Sequence, residues 1–532
     1  MADTLRQATS KNFPPRPLEI RRPHISQPTW EAIKRLSNGQ TPPSLDCRAE
    51  FKRVKHMLKR DKKRHLACNL LSDSRSHPSQ QWFTVKRTMR PFAPKPVNIK
   101  DLHGQLQPKH RRADCFAQYL RQKVWHHRGT PVLESDIWDL PYDVRITGPI
   151  TLHEVNVAIR RLRPRRAPGP DGLHPECYIL SPVVFRYFLA QLFTACFNGP
   201  AVPKQWMHSF VVMIPESQAK PLTDLTNYRP ISLTNINYKL YATILRARLQ
   251  LIAEQYLRPT QFGFRSGRSV SQPVHVIRQI LQLHERQQLP LHLVFLDWSK
   301  AFDSVPHDKI LYALSSLDVP EPLANAIMSL YASPTFQVHD SGFTSDVHQQ
   351  LGGVRQGCPL SPYLFVLCMS ALFRHVELFY ESHFSQIAGV INRPFPLWDL
   401  QYADDTVLLA HSPIALTRLL HTLQILALDF GLELNFSKCE HIALHSCERI
   451  RFCPDLNSEQ CPCNLCFGST EPSNLVTLVT SARYLGAHVN DTGSSAEHIK
   501  NRLSKATAAA KLLGAFFRNQ CISPSFRLLV YQ

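Results

Sequence analysis

The stretch Leu400-Gln-Tyr-Ala-Asp-Asp-Thr-Val-Leu-Leu-Ala410 places two adjacent acidic residues between two apolar segments. This pattern predicts two strands, 400–402 and 406–410, joined by a tight turn at residues 403–405. Adjacent residues of a regular strand point to opposite faces of a sheet, so the two acidic side chains can approach one centre only if a turn lies between the strands. The alternative is an ordinary acidic hairpin turn.

A second apolar run, residues 291–296, ends directly on Asp297. Its composition is typical of a buried strand, and a carboxylate at the end of such a strand is costly unless it is paired, hydrogen-bonded or bound to a metal. If this strand lies beside the turn, Asp297, Asp404 and Asp405 form one site. Such oxygen ligands select Mg²⁺, with Mn²⁺ as an alternative, and two ions about 3.5–4 Å apart activate an attacking hydroxyl and stabilise a leaving pyrophosphate. The predicted reaction class is nucleotidyl transfer.

Helical periodicity accompanies these strands. The apolar residues Leu240, Ile244 and Leu251 share one face of a helix predicted over 238–256, and a second helix is predicted over 273–286. Strand-like and helical segments alternate through the remainder of the chain, with short breakers between them. The predicted fold class is α+β.

The chain has 532 residues, of which 43% are apolar and 19% are charged, with 19 Gly and 41 Pro. This composition excludes fibrous and wholly disordered classes and predicts several folded domains with Pro-rich connectors. The longest strongly apolar run, Tyr363–Phe373, is far shorter than the roughly 20 residues of a membrane span. The first residues contain no apolar core of signal-peptide length, so we predict neither a membrane span nor secretion, and we expect reduced cysteines.

The positive charge is concentrated near the N-terminus. Residues 1–130 hold 28 Lys and Arg against 9 Asp and Glu, whereas residues 131–532 hold 34 against 32. A basic arm favours a phosphate-bearing partner, because each neutralised phosphate releases counterions, and the alternative is a solvated tail. We expect linker or disorder over 1–50, a basic surface helix within 51–64 and a further helix over 110–127.

Eight short segments, spread in order along the chain, match one known family. They are Arg166-Ala-Pro-Gly-Pro-Asp-Gly172, Asn227-Tyr-Arg-Pro-Ile-Ser-Leu233, Gln261-Phe-Gly-Phe-Arg-Ser-Gly-Arg268, Phe295-Leu-Asp-Trp-Ser-Lys-Ala-Phe-Asp303, Gly353-Val-Arg-Gln-Gly-Cys-Pro-Leu-Ser-Pro362, Tyr402-Ala-Asp-Asp405, Gly431-Leu-Glu-Leu-Asn-Phe-Ser-Lys438 and Tyr484-Leu-Gly486. With these motifs the chain resembles a reverse transcriptase of the non-LTR (LINE-type) retrotransposon class. The resemblance covers about residues 145–520.

The resemblance implies a right-hand polymerase with helical fingers, an antiparallel-sheet palm that carries the catalytic carboxylates, and a partial helical thumb. The implied parts are a basic, partly disordered arm and linker (1–130), a reverse transcriptase domain (145–489) with fingers (about 145–290) and palm (about 291–489), a Cys-rich insertion (about 439–470) and the start of a truncated thumb (490–532). We expect the polymerase part of such an element without its endonuclease.

The same resemblance implies roles for single residues. Asp297 and Asp404 resemble the two principal metal ligands of the family, and Asp405 resembles its third carboxylate. Lys438 resembles a lysine proposed as the general acid to the departing pyrophosphate, and a solvated surface lysine is the equal alternative.

Four further residues resemble the nucleotide-binding groups of the family. Phe302 matches an aromatic gate whose edge clashes with a ribose 2′-hydroxyl, and Arg229 matches a fingers residue that lies over the triphosphate. Gln356 and Gly357 match the loop that packs under the incoming nucleotide and the template base. Glu216 stands where the family usually has a Lys, which indicates either weaker nucleotide binding or an alignment shift of a residue or two.

Six of the 14 cysteines lie between residues 439 and 466. The segment Cys461-Pro-Cys-Asn-Leu-Cys466 combines one C-x-C and one C-x-x-C, and with Cys453 or Cys447 it would complete a Zn²⁺ site. The candidate ligands are Cys453, Cys461, Cys463 and Cys466. Because the spacing is not that of the common paired ribbon, we favour a reduced, Cys-rich surface loop over a Zn²⁺ site.

The implied function is that of an RNA-directed DNA polymerase, which extends the 3′-hydroxyl of a DNA primer along an RNA template with dNTPs. Eukaryotic members of the family act on chromosomal DNA, which implies a location in the nucleus. Two alternatives stay open: a catalytically inactive remnant that only binds nucleic acid, and a DNA-templated polymerase of similar palm geometry.

Overall fold

The computed structural model describes most of the chain between residues 98 and 512 and short pieces before it. The described residues are 25–37, 53–58, 60, 61, 64, 98–126, 144–216, 220–384, 387, 389–391, 396–452, 475–492, 494 and 496–512. The chain divides into two compact units, one made of Met1–Gln7 and Lys95–His498 and the other of Ala8–Pro94 and Ile499–Gln532.

Helices and short strands alternate along the described residues. The strands are β1 Ile99–Lys100, β2 Leu106–Gln107, β3 His208–Pro215, β4 Tyr228–Leu233, β5 Leu291–Leu296, β6 Thr335–Asp340, β7 Phe343–Thr344, β8 His348–Gln349, β9 Asp399–Tyr402, β10 Asp405–Ala410, β11 Glu440–Leu444, β12 Thr477–Leu478, β13 Ser481–Tyr484 and β14 Ala487–Asn490. The helices are α1 Gln27–Ser37, α2 Arg112–Tyr119, α3 Val144–Thr147, α4 Leu152–Arg160, α5 Pro175–Ile179, α6 Val183–Asn198, α7 Lys204–Met207, α8 Ile236–Ala253, α9 Ser271–Gln287, α10 Ala301–Ser304, α11 His307–Ser315, α12 Glu321–Met328, α13 Ser361–His383, α14 Pro413–Asp429 and α15 Ala496–Leu512.

One sheet, here called the central sheet, has the strand order β12-β11-β5-β10-β9. Strand β5 is antiparallel to both of its neighbours, β10 and β11, and all of its residues are buried. Val294 and Leu296 belong to one hydrophobic cluster, and Leu293 and Phe295 belong to another. Because both faces of β5 are covered, its sequence is continuously apolar rather than alternating. The strand predicted over 291–296 is confirmed.

Strands β9 and β10 form the predicted hairpin, with one difference at the turn. Asp405 pairs with Tyr402, so β10 begins at Asp405 and the turn contains only Ala403 and Asp404. Ala403 has a φ of +60°, which is uncommon for a residue other than glycine. This short turn places the two acidic residues at the rim of the sheet.

A second sheet has the strand order β4-β3-β6-β7, and β8 also pairs with β6. Strands β3 and β6 are parallel, whereas β3 and β4 are antiparallel. Helix α2, followed by a π-helical turn at Leu120–Val124, confirms the helix predicted over 110–127. Its buried Arg112 Nε donates to Asp340 Oδ2 of β6 at 2.8 Å, so the segment 98–126 is fastened to this sheet.

The helix predicted over 238–256 is α8, and the prediction of its buried face is wrong at one position. Leu240 and Ile244 are buried as expected, but Leu251 is 68% exposed. In the last turns of α8 the core lies on the side of Leu249, which is fully buried, so Leu251 faces outward. The second predicted helix corresponds to α9.

Helix α1 lies in a region that we expected to be linker or disorder. Trp30 N donates to Ser26 O at the start of the helix, and Ser26 donates to Asp61, 35 residues away, through its backbone N (2.8 Å) and Oγ (2.6 Å). Hydrogen bonds from Ser26 and Thr29 lower the pKa of Asp61 to about 2. Because this contact joins residues far apart in the sequence, the local sequence pattern did not predict the helix. Residues 53–58 of the predicted basic segment are helical.

Among the described residues, helix α13 has the length and apolar composition of a membrane span. However, 72% of its apolar window is buried inside the protein. Its apolar run, Tyr363–Phe373, contributes most of its side chains to the main hydrophobic cluster. The packing is therefore that of a core helix.

Candidate active site

Three carboxylates lie at one edge of the central sheet. Asp297 directly follows β5, and Asp404 and Asp405 lie at the turn between β9 and β10. Thr406 of β10 pairs with Leu296 of β5, so the register brings the start of β10 beside the end of β5. The approach of the three residues that we predicted from sequence follows from this register.

Negative charge accumulates in this group. Burial raises the pKa of Asp404, and the nearby charge of Asp297 adds to the shift. The Asp405 side chain reaches solvent, but desolvation by the surrounding protein and the charges of Asp404 and Asp297 raise its pKa to about 6. Burial is the main cause of both shifts, and the charge of Asp297 raises both pKa values further, against the opposing charge of Arg229.

A divalent cation fits the chemistry of this group, because it would compensate the repulsion and the donors are all oxygen atoms. Within the described part of the chain, no three His, Cys, Asp or Glu side chains already stand close enough together to hold a metal ion. One carboxylate is held by an ammonium group instead, since Lys438 Nζ donates to Asp297 Oδ2 at 3.1 Å. Asp297 would have to exchange this lysine for a metal ion.

The turn that carries the acidic pair is braced by the motif at residues 261–268. Gln261 Oε1 accepts hydrogen bonds from Ala403 N (3.0 Å) and from Gly263 N (2.8 Å). Gly263 passes so close to the turn that a Cβ on it would lie 2.3 Å from Ala403 N. The glycine is required there because any side chain would push the turn away.

Phe302, in the short helix α10, and Gly357, in a loop, border the same region. The Phe302 ring stacks on Phe365, with centroids 4.2 Å apart and 22° between the planes, and meets the edge of Phe264 at 6.1 Å. Gly357 has a φ of +118°, and a Cβ there would lie 2.6 Å from Ser232 O. The aromatic ring is therefore fixed in place, and the glycine permits a close approach of the loop to β4.

Arg229 projects from β4 and pairs with Glu216, whose Oε1 accepts from Arg229 Nε at 3.3 Å. Lys220 Nζ donates to Glu216 Oε2 at 2.8 Å. Burial acts to raise the pKa of Glu216, but the hydrogen bonds from Lys220 and Arg229 outweigh it and lower that pKa. Glu216 stands where the family usually has a lysine, but it forms an ion pair with a lysine four residues later, Lys220.

Most of the predicted site residues line one cleft of about 740 Å³. These lining residues are Arg229, Asp297, Phe302, Gln356, Gly357, Asp404 and Lys438. Asp405 is not among the lining residues described, although it follows Asp404 directly. Glu216 and Lys220 also line the cleft, so carboxylates, cations and an aromatic ring share one solvent-accessible space.

Sequence reasoning assigned no role to Asp303 or Trp125. The structure places Asp303 in the lining of this cleft and buries Trp125 behind it. Asp303 Oδ2 accepts from Gln356 Nε2 at 2.7 Å, and its Oδ1 accepts from Trp125 Nε1 at 3.4 Å. Burial raises the pKa of Asp303 to about 7. The one local signal for Asp303 in the sequence is that an acidic residue stands next to apolar residues in a short helix. Trp125 carried no signal, because it lies far from Asp303 in sequence.

The candidate Zn²⁺ ligands Cys453, Cys461, Cys463 and Cys466 lie outside the described residues. Of the cysteines in the predicted insertion that the structure describes, Cys439 is a buried thiol and Cys447 an exposed one. Both the Zn²⁺ hypothesis and the favoured loop interpretation stay predictions.

An α+β body, with carboxylates at the edge of an antiparallel sheet that face a cleft with an arginine and a fixed aromatic ring, defines a right-hand polymerase. The reverse transcriptase (RNA-dependent DNA polymerase) family matches residues 214–489, and the chain belongs to this family. Reverse transcriptases generally use divalent metal ions such as Mg²⁺.

The relatives are proteins of mobile elements. The chain is 28% identical over 312 residues to an uncharacterized 149 kDa protein of transposon TX1 from Xenopus laevis, which covers 57% of this chain and 23% of that protein. It is 26% identical over 405 residues to the RNA-directed DNA polymerase from mobile element jockey of Drosophila melanogaster, which covers 73% of this chain and 42% of the relative. The resemblance to non-LTR retrotransposon polymerases is confirmed.

The chain spans less than half the length of the curated relatives it matches. Among solved structures, an apo telomerase from Candida tropicalis, truncated from its C-terminal domain, has a TM-score of 0.37 and 12% identity. That similarity covers 56% of this chain and 55% of the other, and it is too low to carry a structural argument.

Proposed function

We propose that this chain is an RNA-directed DNA polymerase that extends the 3′-hydroxyl of a DNA primer along an RNA template with dNTPs. The observation that carries the proposal is the convergence of Asp297, Asp404, Arg229 and Phe302 on one cleft. Membership of the reverse transcriptase family supports the same reaction. In this proposal the fingers extend over about 145–290, the palm over about 291–489, and the thumb starts at 490.

The proposed cofactor is a pair of Mg²⁺ ions, held by Asp297, Asp404 and Asp405. When bound, they would activate the primer hydroxyl and stabilise the departing pyrophosphate. The raised pKa values of Asp404 and Asp405 support this role, because a bound cation would stabilise carboxylates that burial and the nearby charge of Asp297 destabilise. Mn²⁺ is an alternative ion of similar ligand preference.

The triphosphate would lie near the cationic side of the cleft. Arg229 lines the cleft with an exposed guanidinium group, whose planar set of donors suits it to phosphate oxygens. Lys220 supplies a second cation close to Arg229, through their shared partner Glu216. We infer that Lys220 replaces the lysine that the family usually has at the position of Glu216.

Phe302 would select dNTPs over ribonucleotides. Its ring is stacked on Phe365, so it cannot swing aside without breaking that stacking. A ribose 2′-hydroxyl at this place would meet a fixed aromatic edge, which selects against ribonucleotides by shape. Lys438 is placed at the rim of the same cleft, where its ammonium group could protonate pyrophosphate.

Primer extension tests the proposal. The intact chain is given a DNA primer on an RNA template, and separately on a DNA template of the same sequence, with Mg²⁺ and dNTPs. We expect incorporation on RNA that disappears in Asp404→Ala and without a divalent ion. Extension on DNA alone would favour a DNA-templated polymerase. Binding of primer and template without any extension would identify an inactive remnant.

We further propose that the basic N-terminal arm binds nucleic acid and that the protein acts in the nucleus. Lys55, Arg60 and Arg64 are exposed cations of this arm. The affinity for the nucleic-acid template is measured at several salt concentrations. Joint replacement of the three residues by Gln should flatten the slope of log affinity against log salt by about 0.9 for each phosphate that the arm no longer neutralises. The control replaces the exposed residues Arg286 and Arg374 by Gln, and its slope should not change. An unchanged slope in both variants would leave the arm as a solvated tail.

A further inference from the structure

Asp303 is a buried carboxylate with both oxygens in use. It is 3% exposed, and its oxygens accept hydrogen bonds from the side chains of Gln356 (2.7 Å) and Trp125 (3.4 Å). Lys300 supplies the nearby positive charge, with its Nζ 4.1 Å from the centroid of the Tyr119 ring. Burial lowers the pKa of Lys300 to about 8, and the charge of Asp303 acts against that shift.

Gln356 is held in a single orientation by these contacts. Its Nε2 is directed to Asp303, and its backbone O accepts from Ser232 N at 2.7 Å. The residue is half-buried and lines the cleft, and within the described residues no group donates to its Oε1. Because an amide has a donor end and an acceptor end, fixing the donor on Asp303 leaves the acceptor for the cleft.

Trp125 reaches Asp303 from outside the residues that match the family, 214–489. Its side chain is 1% exposed and meets Phe336 edge-on, with ring centroids 4.7 Å apart. Its backbone O accepts from Leu351 N at 3.2 Å. The indole is therefore rigid, and its N–H is aimed at the carboxylate by the packing of the segment 98–126.

We propose that Asp303 is a positioning residue for the incoming nucleotide. Asp303 holds the Gln356 amide so that Oε1 is directed toward the cleft, and the hydrogen bond from Trp125 fixes the orientation of the Asp303 carboxylate. Gln356 Oε1 then accepts a hydrogen bond from a donor group of the dNTP. The inference rests on the proposed polymerase function. It makes the segment 98–126 part of the nucleotide site, although that segment lies outside the family match.

The first test is Asp303→Asn, assayed between the pKa of Asp303, about 7, and that of Lys300, about 8, so that the wild-type carboxylate and its neighbouring ammonium group are both largely charged. A carboxamide can accept from only one of the two donors, so Gln356 is expected to turn its own oxygen inward and present its NH₂ to the cleft. The KM for dNTPs should rise about three- to tenfold, the worth of one hydrogen bond, with kcat changed by less than about twofold. An unchanged KM in an active, folded variant would overturn the proposal.

The matched control is Asp340→Asn. Asp340 is also a buried carboxylate that holds the segment 98–126, through Arg112, but it does not line the cleft. This variant should lower the melting temperature and leave the KM unchanged. An equal rise of KM in both variants would mean that the segment acts by general destabilisation, which would contradict a positioning role for Asp303.

A second variant, Trp125→Phe, removes the indole N–H and keeps a ring in the core, and it tests the proposal if Asp303→Asn fails to fold. Its KM should rise in the same direction by a smaller factor. Combined with Asp303→Asn, it should add almost nothing, because both changes break one unit. Full multiplication of the two factors would show that Trp125 acts independently and would refute its part.

Equilibrium binding separates this inference from the polymerase function. The dissociation constant of a dNTP is measured on a complex of the full chain, template and a chain-terminated primer, with Ca²⁺ in place of Mg²⁺. If the wild type binds the dNTP in this complex but extends no primer in the separate extension assay with Mg²⁺, the polymerase function fails. Weaker dNTP binding by Asp303→Asn would still support the positioning role. If the wild type binds no dNTP, both are overturned.

Discussion

The two ends of strand β9 hold carboxylates in opposite ways. Asp399, at its start, is fully buried, and its Oδ1 is 2.7 Å from Arg258 Nη2. Its Oδ2 accepts hydrogen bonds from Thr260 (2.9 Å) and Gln401 (2.7 Å). Asp404 and Asp405, just past the other end, form no ion pair with any described residue, and their pKa values are raised.

The difference separates a carboxylate that stabilises the fold from the two carboxylates that we propose bind a metal ion. At Asp399 every oxygen has a partner inside the protein, so the charge fastens the start of the hairpin to Arg258. At Asp404 and Asp405 burial and the neighbouring negative charge work against folding, but the carboxylate oxygens stay available for a cation. Strain of this kind persists at functional sites because the rest of the structure holds it in place.

The largest effect is expected from Asp404→Asn. Removal of one charged oxygen from the proposed metal site should lower kcat for primer extension by about 10³-fold or more. The melting temperature should stay the same or rise, because one repelling charge is gone. Asp399→Asn serves as the control, and its kcat per folded molecule should match the wild type. A kcat of Asp404→Asn within tenfold of the wild type would contradict the assignment.

Asp399→Asn should show the reverse behaviour. The change leaves buried Arg258 with Glu377 as its remaining ion-pair partner and should lower the free energy of unfolding by about 3 kcal/mol. Urea denaturation measures this. The exposed Asp429 offers a matched substitution, and Asp429→Asn should stay within about 0.5 kcal/mol of the wild type. Equal free energies of unfolding for the two variants would contradict the stabilising role of Asp399 at the start of the hairpin.

Lys438→Gln extends the comparison to Asp297, the carboxylate that pairs with Lys438. The Lys438–Asp297 pair is exposed, with side chains 55% and 41% accessible, so its loss is worth less than about 1 kcal/mol. Without the competing ammonium group, the half-saturating Mg²⁺ concentration should fall by about two- to fivefold. A general acid would also be revealed by a lower kcat at saturating Mg²⁺, and a surface lysine by an unchanged one. Lys204→Gln, at an exposed lysine, is the control. A higher half-saturating Mg²⁺ concentration in Lys438→Gln would contradict the idea that Asp297 exchanges Lys438 for a metal ion.

The smallest effect concerns pH. The folded-state pKa of Asp405 is about 6, above the ordinary value of 3.8, so the protonated form favours the folded state. That contribution is fully present below about pH 4 and is lost as the pH rises through about 6. Relative to Asp405→Asn, the wild type should lose stability over this window in metal-free buffer. The loss should be below about 1 kcal/mol, because the side chain is exposed. Parallel pH curves for the two proteins would show that Asp405 is not under charge repulsion.

Local pattern was sufficient where a feature is encoded by neighbouring residues. The apolar run before Asp297 predicted β5 to the residue, and each of the two strands around Asp404 begins one residue earlier than predicted, at Asp399 and at Asp405. It failed where distant residues decide. Helix α1 is stabilised by Asp61, and the exposure of Leu251 depends on which side of α8 the core lies.

From the sequence alone followed the α+β class and, through the ordered motifs, the family, because apolar periodicity and motif residues are local properties of the chain. The roles of Asp297, Asp404 and Asp405 stay predictions. Only the tertiary structure decided which charges are neutralised. It paired Asp297 with Lys438 and Asp399 with Arg258, and it joined Asp303 to Trp125. The physical reason is that burial and partners, rather than residue type, set the free energy of a charge, and both come from segments that meet only in the folded protein.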